Sequence, residues 1–263
     1  VDKALLERGF HVAYLDVTND YASPWAIELG NRFYKEMVEN YGLSSKVVME
    51  GFSRGGLYSV IWASRNPDDV ACLYLDAPLT DVFTCLKRLH KAAWKTLLKE
   101  WNLTEETIDR FDGNPVDNLE PLAKAAGVPI ISVCGDSDRS VPIEENMMVM
   151  RKRYLALGGN VELIIKPGCD HHPHSLEDPQ PIVDFIMRQQ PEHKKFQHYT
   201  IRGSLNNSFI KFERERRGRV AFIGGSITEM VGWKDMMEQQ LQQRFPFTTF
   251  EFVEAGISST GST

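Results

Sequence analysis

Short apolar runs alternate with longer segments of helical period through most of the chain, a rhythm that predicts strands joined by helices. Val1 to Gly9 reads as the end of a helix stopped by Gly9, and HVAYLDV (His11 to Val17) as a short strand. A helix is predicted after Ser23, a candidate N-cap, with Pro24 at its first position and Gly42 available to end it. Its apolar residues Trp25, Leu29, Phe33, Met37 and Tyr41 recur every four places and predict one buried face. The strand KVVMEGF (Lys46 to Phe52) comes next, then Ser53, then a helix from about Gly55 to Ala63. The strand VACLYLDAP follows, then a long excursion from about Thr80 to Gly127 that reads as helical, then the strand VPIISVCGD. A helix carrying Ile143, Met147, Met150 and Tyr154 on one face, the strand VELIIKP and the helix PIVDFIMRQQ close the block near Gln190. Met147, Met148, Met150 and Met187 are expected in the core, and Trp94 and Trp101 read as packing residues before they read as a sugar platform.

Runs apolar enough to be covered on both faces predict a mostly parallel sheet in a three-layer α/β domain over residues 1–190. Chemistry in such sheets lies beyond the carboxyl ends of the strands, which selects Ser53, Asp136 to Asp138 and the loop after Lys166. Residues 191–218 change to a polar, turn-rich texture, with a β-hairpin expected around Asn206 and Asn207. A second unit, 219–263, then opens as strand, helix and strand: RVAFIGG, GWKDMMEQQLQQRF and TTFEFVEAG. One such motif cannot bury both faces of a sheet, so it is expected to be the start of a larger domain.

Composition narrows the partners. Apolar content of 42% with 25% charged residues is that of an ordinary globular protein, and a formal charge of -6 offers no footprint for nucleic acid. No apolar run approaches the ~20 residues of a membrane span. Cys72, Cys85, Cys134 and Cys169 have no metal-type spacing and read as buried or free thiols, with one disulfide left open.

The stretch EGFSRGGLYS (Glu50 to Ser59) sets Ser53 where a strand pattern meets a helix pattern, with Gly51, Gly55 and Gly56 small enough for a tight turn. That geometry aims a hydroxyl outward and places the Arg54 N–H where an oxyanion forms. A serine needs a histidine base, and the histidine a carboxylate to fix its tautomer. GDSDRSVP offers Asp136 and Asp138 after one strand, and KPGCDHHPHSL offers His171, His172 and His174 after the next. The same loop, with Asp170, has the donors of a metal site, but beside a serine elbow no metal and no organic cofactor is expected.

In the order GFSRGG, GDSDRSVP, PGCDHHPHS, residues 1–190 resemble the α/β-hydrolase family. The resemblance maps the nucleophile to Ser53, the acid to Asp138, the base to His171 and one oxyanion donor to Arg54; Asp136 and His172 remain the alternatives. In that family the second oxyanion donor follows a strand that would precede Val1, so the resemblance implies a segment of a longer protein, lacking its first strands. VAFIGGSIT with VEAGISSTGS resembles the opening of the SGNH (GDSL-like) hydrolases, which have a flavodoxin-like sheet; it maps a nucleophile to Ser226 and an oxyanion glycine to Gly256. The later SGNH motifs, including the base for Ser226, are not in the chain. The two units in tandem are similar to bacterial carbohydrate esterases. They imply a serine esterase that removes acetyl or other small acyl groups from a glycan, in a periplasmic or secreted setting. A serine peptidase on the same fold, and a non-catalytic glycan-binding module, are the alternatives.

Overall fold

The computed structural model describes residues 1–17, 20–124, 127–189, 206–224 and 232–256. The chain forms two compact units, Val1–Lys195 and Phe196–Thr263.

The first unit is built on a parallel sheet of β1 (Val47–Phe52), β2 (Val70–Asp76), β3 (Ile130–Gly135) and β4 (Val161–Lys166), paired in that order. Its helices are α1 (Asp2–Leu6), α2 (Pro24–Glu39), α3 (Arg54–Arg65), α4 (Lys91–Glu100), α5 (Glu120–Lys124), α6 (Met147–Ala156) and α7 (Gln180–Gln189). Alternation along β2 shows why the sheet has two covers. Leu73 and Leu75 join Ile27 of α2, Leu57 and Ile61 of α3 and Met150 of α6 on one face. Cys72 and Tyr74 join Ile131, Val133 and the Ile182, Val183, Phe185 and Ile186 of α7 on the other, with Leu5 of α1. Each such buried side chain contributes about 1.5–3 kcal/mol, so the core on both faces holds the strand ends in place. The register puts Phe52 beside Asp76, Asp76 beside Val133, and Gly135 beside Lys166, so the carboxyl ends of all four strands share one rim.

Several expectations change in the structure. His11 to Val17 form no strand: Val12 and Tyr14 are exposed, and an extended segment becomes a strand only where a neighbour takes up its backbone groups. Ser23 does cap α2, accepting from Ala26 N at 3.3 Å, but the buried face is Ala26, Ile27 and Gly30, while Trp25 and Tyr41 are exposed. The shift comes from a close helix crossing, since a Cβ on Gly30 would lie 2.0 Å from the Tyr58 hydroxyl. The excursion between β2 and β3 is less helical than expected, with a π-helical turn at Phe83–Lys87, α4, α5 and short 3-10 turns. Trp94 is buried, Trp101 packs edge-on against Phe111 at 4.7 Å, and both serve packing. Met147 and Met150 are buried and Met148 packs against the core, but Met187 lies on the outer side of α7 and is exposed. All four cysteines are free thiols.

In the second unit β5 (Arg217–Gly224) pairs in parallel with β6 (Thr249–Gly256), and α9 (Trp233–Arg244) lies between them in sequence. The hairpin expected at Asn206 and Asn207 is instead the start of a helix, α8 (Asn206–Glu215). Phe209 and Phe212 are one helical turn apart, and Phe212 meets Phe245 at 5.4 Å and Phe250 at 5.0 Å, an aromatic cluster that outweighs the turn tendency of two asparagines.

Candidate active site

The turn between β1 and α3 is strained in a specific way. Ser53 has φ 50° and ψ -114°, a conformation that non-glycine residues rarely hold and that costs on the order of 1–3 kcal/mol. The surroundings enforce it. The Ser53 N–H donates to the Asp76 carbonyl at 3.0 Å, and its own carbonyl accepts from Gly56 N at 3.0 Å and Leu79 N at 2.9 Å. A Cβ on Gly51 would lie 2.6 Å from the Gly55 carbonyl oxygen, and one on Gly56 would lie 2.5 Å from Pro78 Cβ, so both positions need glycine. Arg54 opens α3, placing its N–H in the first turn of a helix whose dipole favours negative charge.

Past β3, Asp138 is buried. Its Oδ1 accepts from Ser140 N and Val141 N, both at 2.8 Å, and its Oδ2 lies 2.7 Å from His171 Nδ1. A carboxylate held by two backbone donors and aimed at one ring nitrogen is the arrangement that orients an imidazole. Asp136 does something else: it is exposed and accepts from Gly168 N at 2.7 Å, tying the exit of β3 to the turn after β4.

The histidine loop is pressed onto the acid loop. Asp170 Oδ1 accepts from Arg139 N at 3.0 Å and from His171 N at 2.8 Å, while Oδ2 takes the Arg139 guanidinium. The backbone and side-chain donors of Arg139, with the His171 N–H, hold the Asp170 carboxyl down at about 2. Ser137 N donates to the Cys169 carbonyl at 3.0 Å, and a Cβ on Gly135 would lie 2.2 Å from that same oxygen.

One participant was not foreseen from the sequence. Asp76, at the end of β2, is buried, and its Oδ1 lies 3.1 Å from His174 Nδ1. Its Oδ2 accepts from the Tyr74 hydroxyl at 3.0 Å and from Ser175 N. Burial, with the negative charge of Asp76 adding to it, pushes the Tyr74 phenol far above its ordinary value, so it stays a donor. The one available signal was an acidic residue closing an otherwise apolar strand. His174 stacks on Phe52, the residue before Ser53, with ring centroids 5.1 Å apart, and meets His171 at 5.3 Å. The histidine loop thus lies against the elbow.

Among the described residues no hydrogen bond joins the Ser53 hydroxyl to His171, a bond that in unliganded hydrolases often forms only with substrate in place. Among the described residues, His171, His172 and His174 each bring one imidazole nitrogen within 4.8 Å of the others, a group that could hold a metal ion. Ser226 lies outside the described residues. Gly256 ends β6 opposite Gly224.

Residues 32–190, more than half of the chain, match the prolyl oligopeptidase family. The chain belongs to that family. Its parallel sheet is therefore that of the α/β hydrolases, in a family of serine hydrolases. Among solved structures, this prolyl oligopeptidase-family chain is similar to a truncated carbohydrate esterase from gut microbiota, with 16% identity, a TM-score of 0.50, and coverage of 62% of this chain and 67% of that one. It is also similar to a puromycin hydrolase (17% identity, TM-score 0.48, 61% and 23% covered). A third is Porphyromonas gingivalis dipeptidyl peptidase 4 (12% identity, TM-score 0.49, 62% and 22% covered). The chain spans less than a quarter of the length of these last two. No curated protein matches it. No helix among the described residues is long and apolar enough to cross a membrane.

Proposed function

We propose that the first unit is a serine esterase that removes acetyl or similar small acyl groups from carbohydrate. Ser53 Oγ attacks the acyl carbonyl carbon while His171 Nε2 takes its proton, and Asp138 steadies the imidazolium through Nδ1. The oxyanion is met by the Arg54 N–H. Return of the proton to the leaving sugar oxygen breaks the ester bond and leaves Ser53 acylated. Water, giving its proton to His171, then attacks the acyl carbon; the acyl–Oγ bond breaks, His171 returns the proton to Ser53 Oγ, and the acid leaves. The observation that carries this reading is the 2.7 Å contact of buried Asp138 with His171, on a loop that rests against the strained Ser53 turn.

The carbohydrate part rests on the resemblance of the two units in tandem to carbohydrate esterases, with Ser226 as nucleophile and Gly256 as oxyanion donor of an SGNH-like second unit. It is supported by a fold shared with a carbohydrate esterase over 67% of that chain. Family membership favours a second reading, a serine peptidase with the same residues in the same roles.

The test is hydrolysis by the full-length protein of acetylated xylan and nitrophenyl acetate, set against peptidyl nitroanilides, with Ser53→Ala and Ser226→Ala alongside. Acetate release lost in Ser53→Ala supports the esterase, and nitroanilide release without acetate release supports the peptidase. No turnover of any of these and no fluorophosphonate label on Ser53 would leave the non-catalytic glycan-binding module.

A further inference from the structure

His171 has a part in the proposed reaction, but His172 and His174 do not, and the three rings form a closed cluster. Their centroids are 5.2, 5.3 and 4.5 Å apart, each pair close to perpendicular. Two of the rings are already oriented as metal ligands usually are. His171 Nδ1 is taken by the carboxylate of Asp138 and His174 Nδ1 by that of Asp76, both buried, so the lone pair each ring can offer is on Nε2. A carboxylate behind a histidine fixes the tautomer and raises the basicity of the opposite nitrogen, the outer arrangement found around histidine-bound zinc. Zn–N bonds of about 2.0–2.1 Å in tetrahedral geometry put ligand nitrogens about 3.3 Å apart. One ring nitrogen from each of the three lies within 4.8 Å of the others, and His172, the exposed member, can swing to bring its lone pair in.

We propose that His171, His172 and His174 form a Zn²⁺ site, with Asp138 and Asp76 as outer carboxylates, and that zinc bound there switches the hydrolase off. The fourth position is left to water. A metal on His171 Nε2 occupies the lone pair that would take the proton from Ser53, so binding and turnover exclude each other. The inhibitory half rests on the serine-hydrolase reading above, and the binding half does not. Imidazole nitrogens suit zinc, whereas magnesium takes oxygen ligands.

The test uses the full-length chain, stripped of metal with EDTA and then freed of the chelator, titrated with zinc sulfate in competition with a chromophoric zinc chelator. Nitrophenyl acetate turnover is followed in the same samples. One zinc per chain at micromolar free metal is expected, turnover falling in step with occupancy and unaffected by millimolar Mg²⁺. His172→Ala and His174→Ala should each weaken binding at least tenfold. In His172→Ala the zinc needed to halve that variant's own metal-free activity should rise by the same factor. Cys169→Ala should bind as the parent does. No bound zinc, binding that both histidine variants retain, or binding lost with Cys169 would overturn the site. Full occupancy with unchanged turnover would overturn the switch. If the metal-free protein neither turns over ester nor accepts a fluorophosphonate, the serine-hydrolase reading and the switch fall together, while chelator competition still decides the site.

Discussion

Replacing Gly135 by alanine would test whether the acid and histidine loops are held in working position by direct backbone contact. The new methyl would sit 2.2 Å from the Cys169 carbonyl oxygen and 2.8 Å from that of Asp170. Both obstacles are backbone atoms, which cannot rotate aside. Restoring an ordinary carbon–oxygen contact of about 3.2 Å demands that the histidine loop retreat by about 1 Å. The Asp138–His171 bond, 2.7 Å long, would stretch to about 3.7 Å, beyond hydrogen-bonding range. A displacement of that size in a catalytic group costs about 100-fold in rate, and the overpacking itself costs about 1–3 kcal/mol of stability. The assay is kcat and KM for nitrophenyl acetate with full-length protein, with thermal melting to show that the variant is folded. A fall in kcat of about 100-fold with KM within a few-fold is expected. A folded Gly135→Ala protein with kcat within about twofold of the parent would show that the contact does not position His171.

The elbow itself makes a second prediction. Ser53→Gly and Ser53→Ala both remove the hydroxyl, but only glycine accepts φ 50° and ψ -114° without strain, so Ser53→Gly should be the more stable by about 1 kcal/mol in urea unfolding. Equal midpoints would show that the turn is relaxed. Asp138→Asn should lower kcat by about 10⁴-fold while leaving KM within a few-fold, because an amide holds the wrong imidazole tautomer. Asp170, depressed from 3.8 to about 2, binds its proton less readily folded than unfolded, so its clamp on Arg139 is complete above pH 3.8 and is lost as pH falls through about 2. A carboxyl carbon resonance for Asp170 titrating near 4 would show that the clamp does not form.

Legibility in the sequence followed from whether a residue's neighbours are close in the chain or distant. The strands could be read because β2 and β3 are covered on both sides and are apolar along most of their length, as Leu73 and Tyr74 show from opposite faces. The face of α6 was equally plain, since Met147, Met150 and Tyr154 keep helical spacing and are all buried. α2 misled because its contact surface is set by Gly30, where the absence of a side chain lets Tyr58 approach, and hydrophobic spacing is blind to an absence. Asn206 and Asn207 misled because their turn tendency is local, whereas Phe212 finds Phe245 and Phe250 across the second unit. In the candidate site, order and position past strand ends single out Ser53, Asp138 and His171, and the fold brings Asp138 onto His171. Between Asp136 and Asp138, or His171 and His172, only the folded loops show which pair meets. Asp76 was hidden because nothing near it in the chain marks it out; His174 and Ser175 reach it only in the folded molecule.

Asp76 touches both halves of the site by different means, its carbonyl holding the amide of Ser53 and its carboxylate holding His174 and the N–H of Ser175. Drift of that strand tip would therefore carry the backbone of the elbow and the His174 end of the histidine loop the same way, a common-mode motion in which absolute positions wander while the two stay in step.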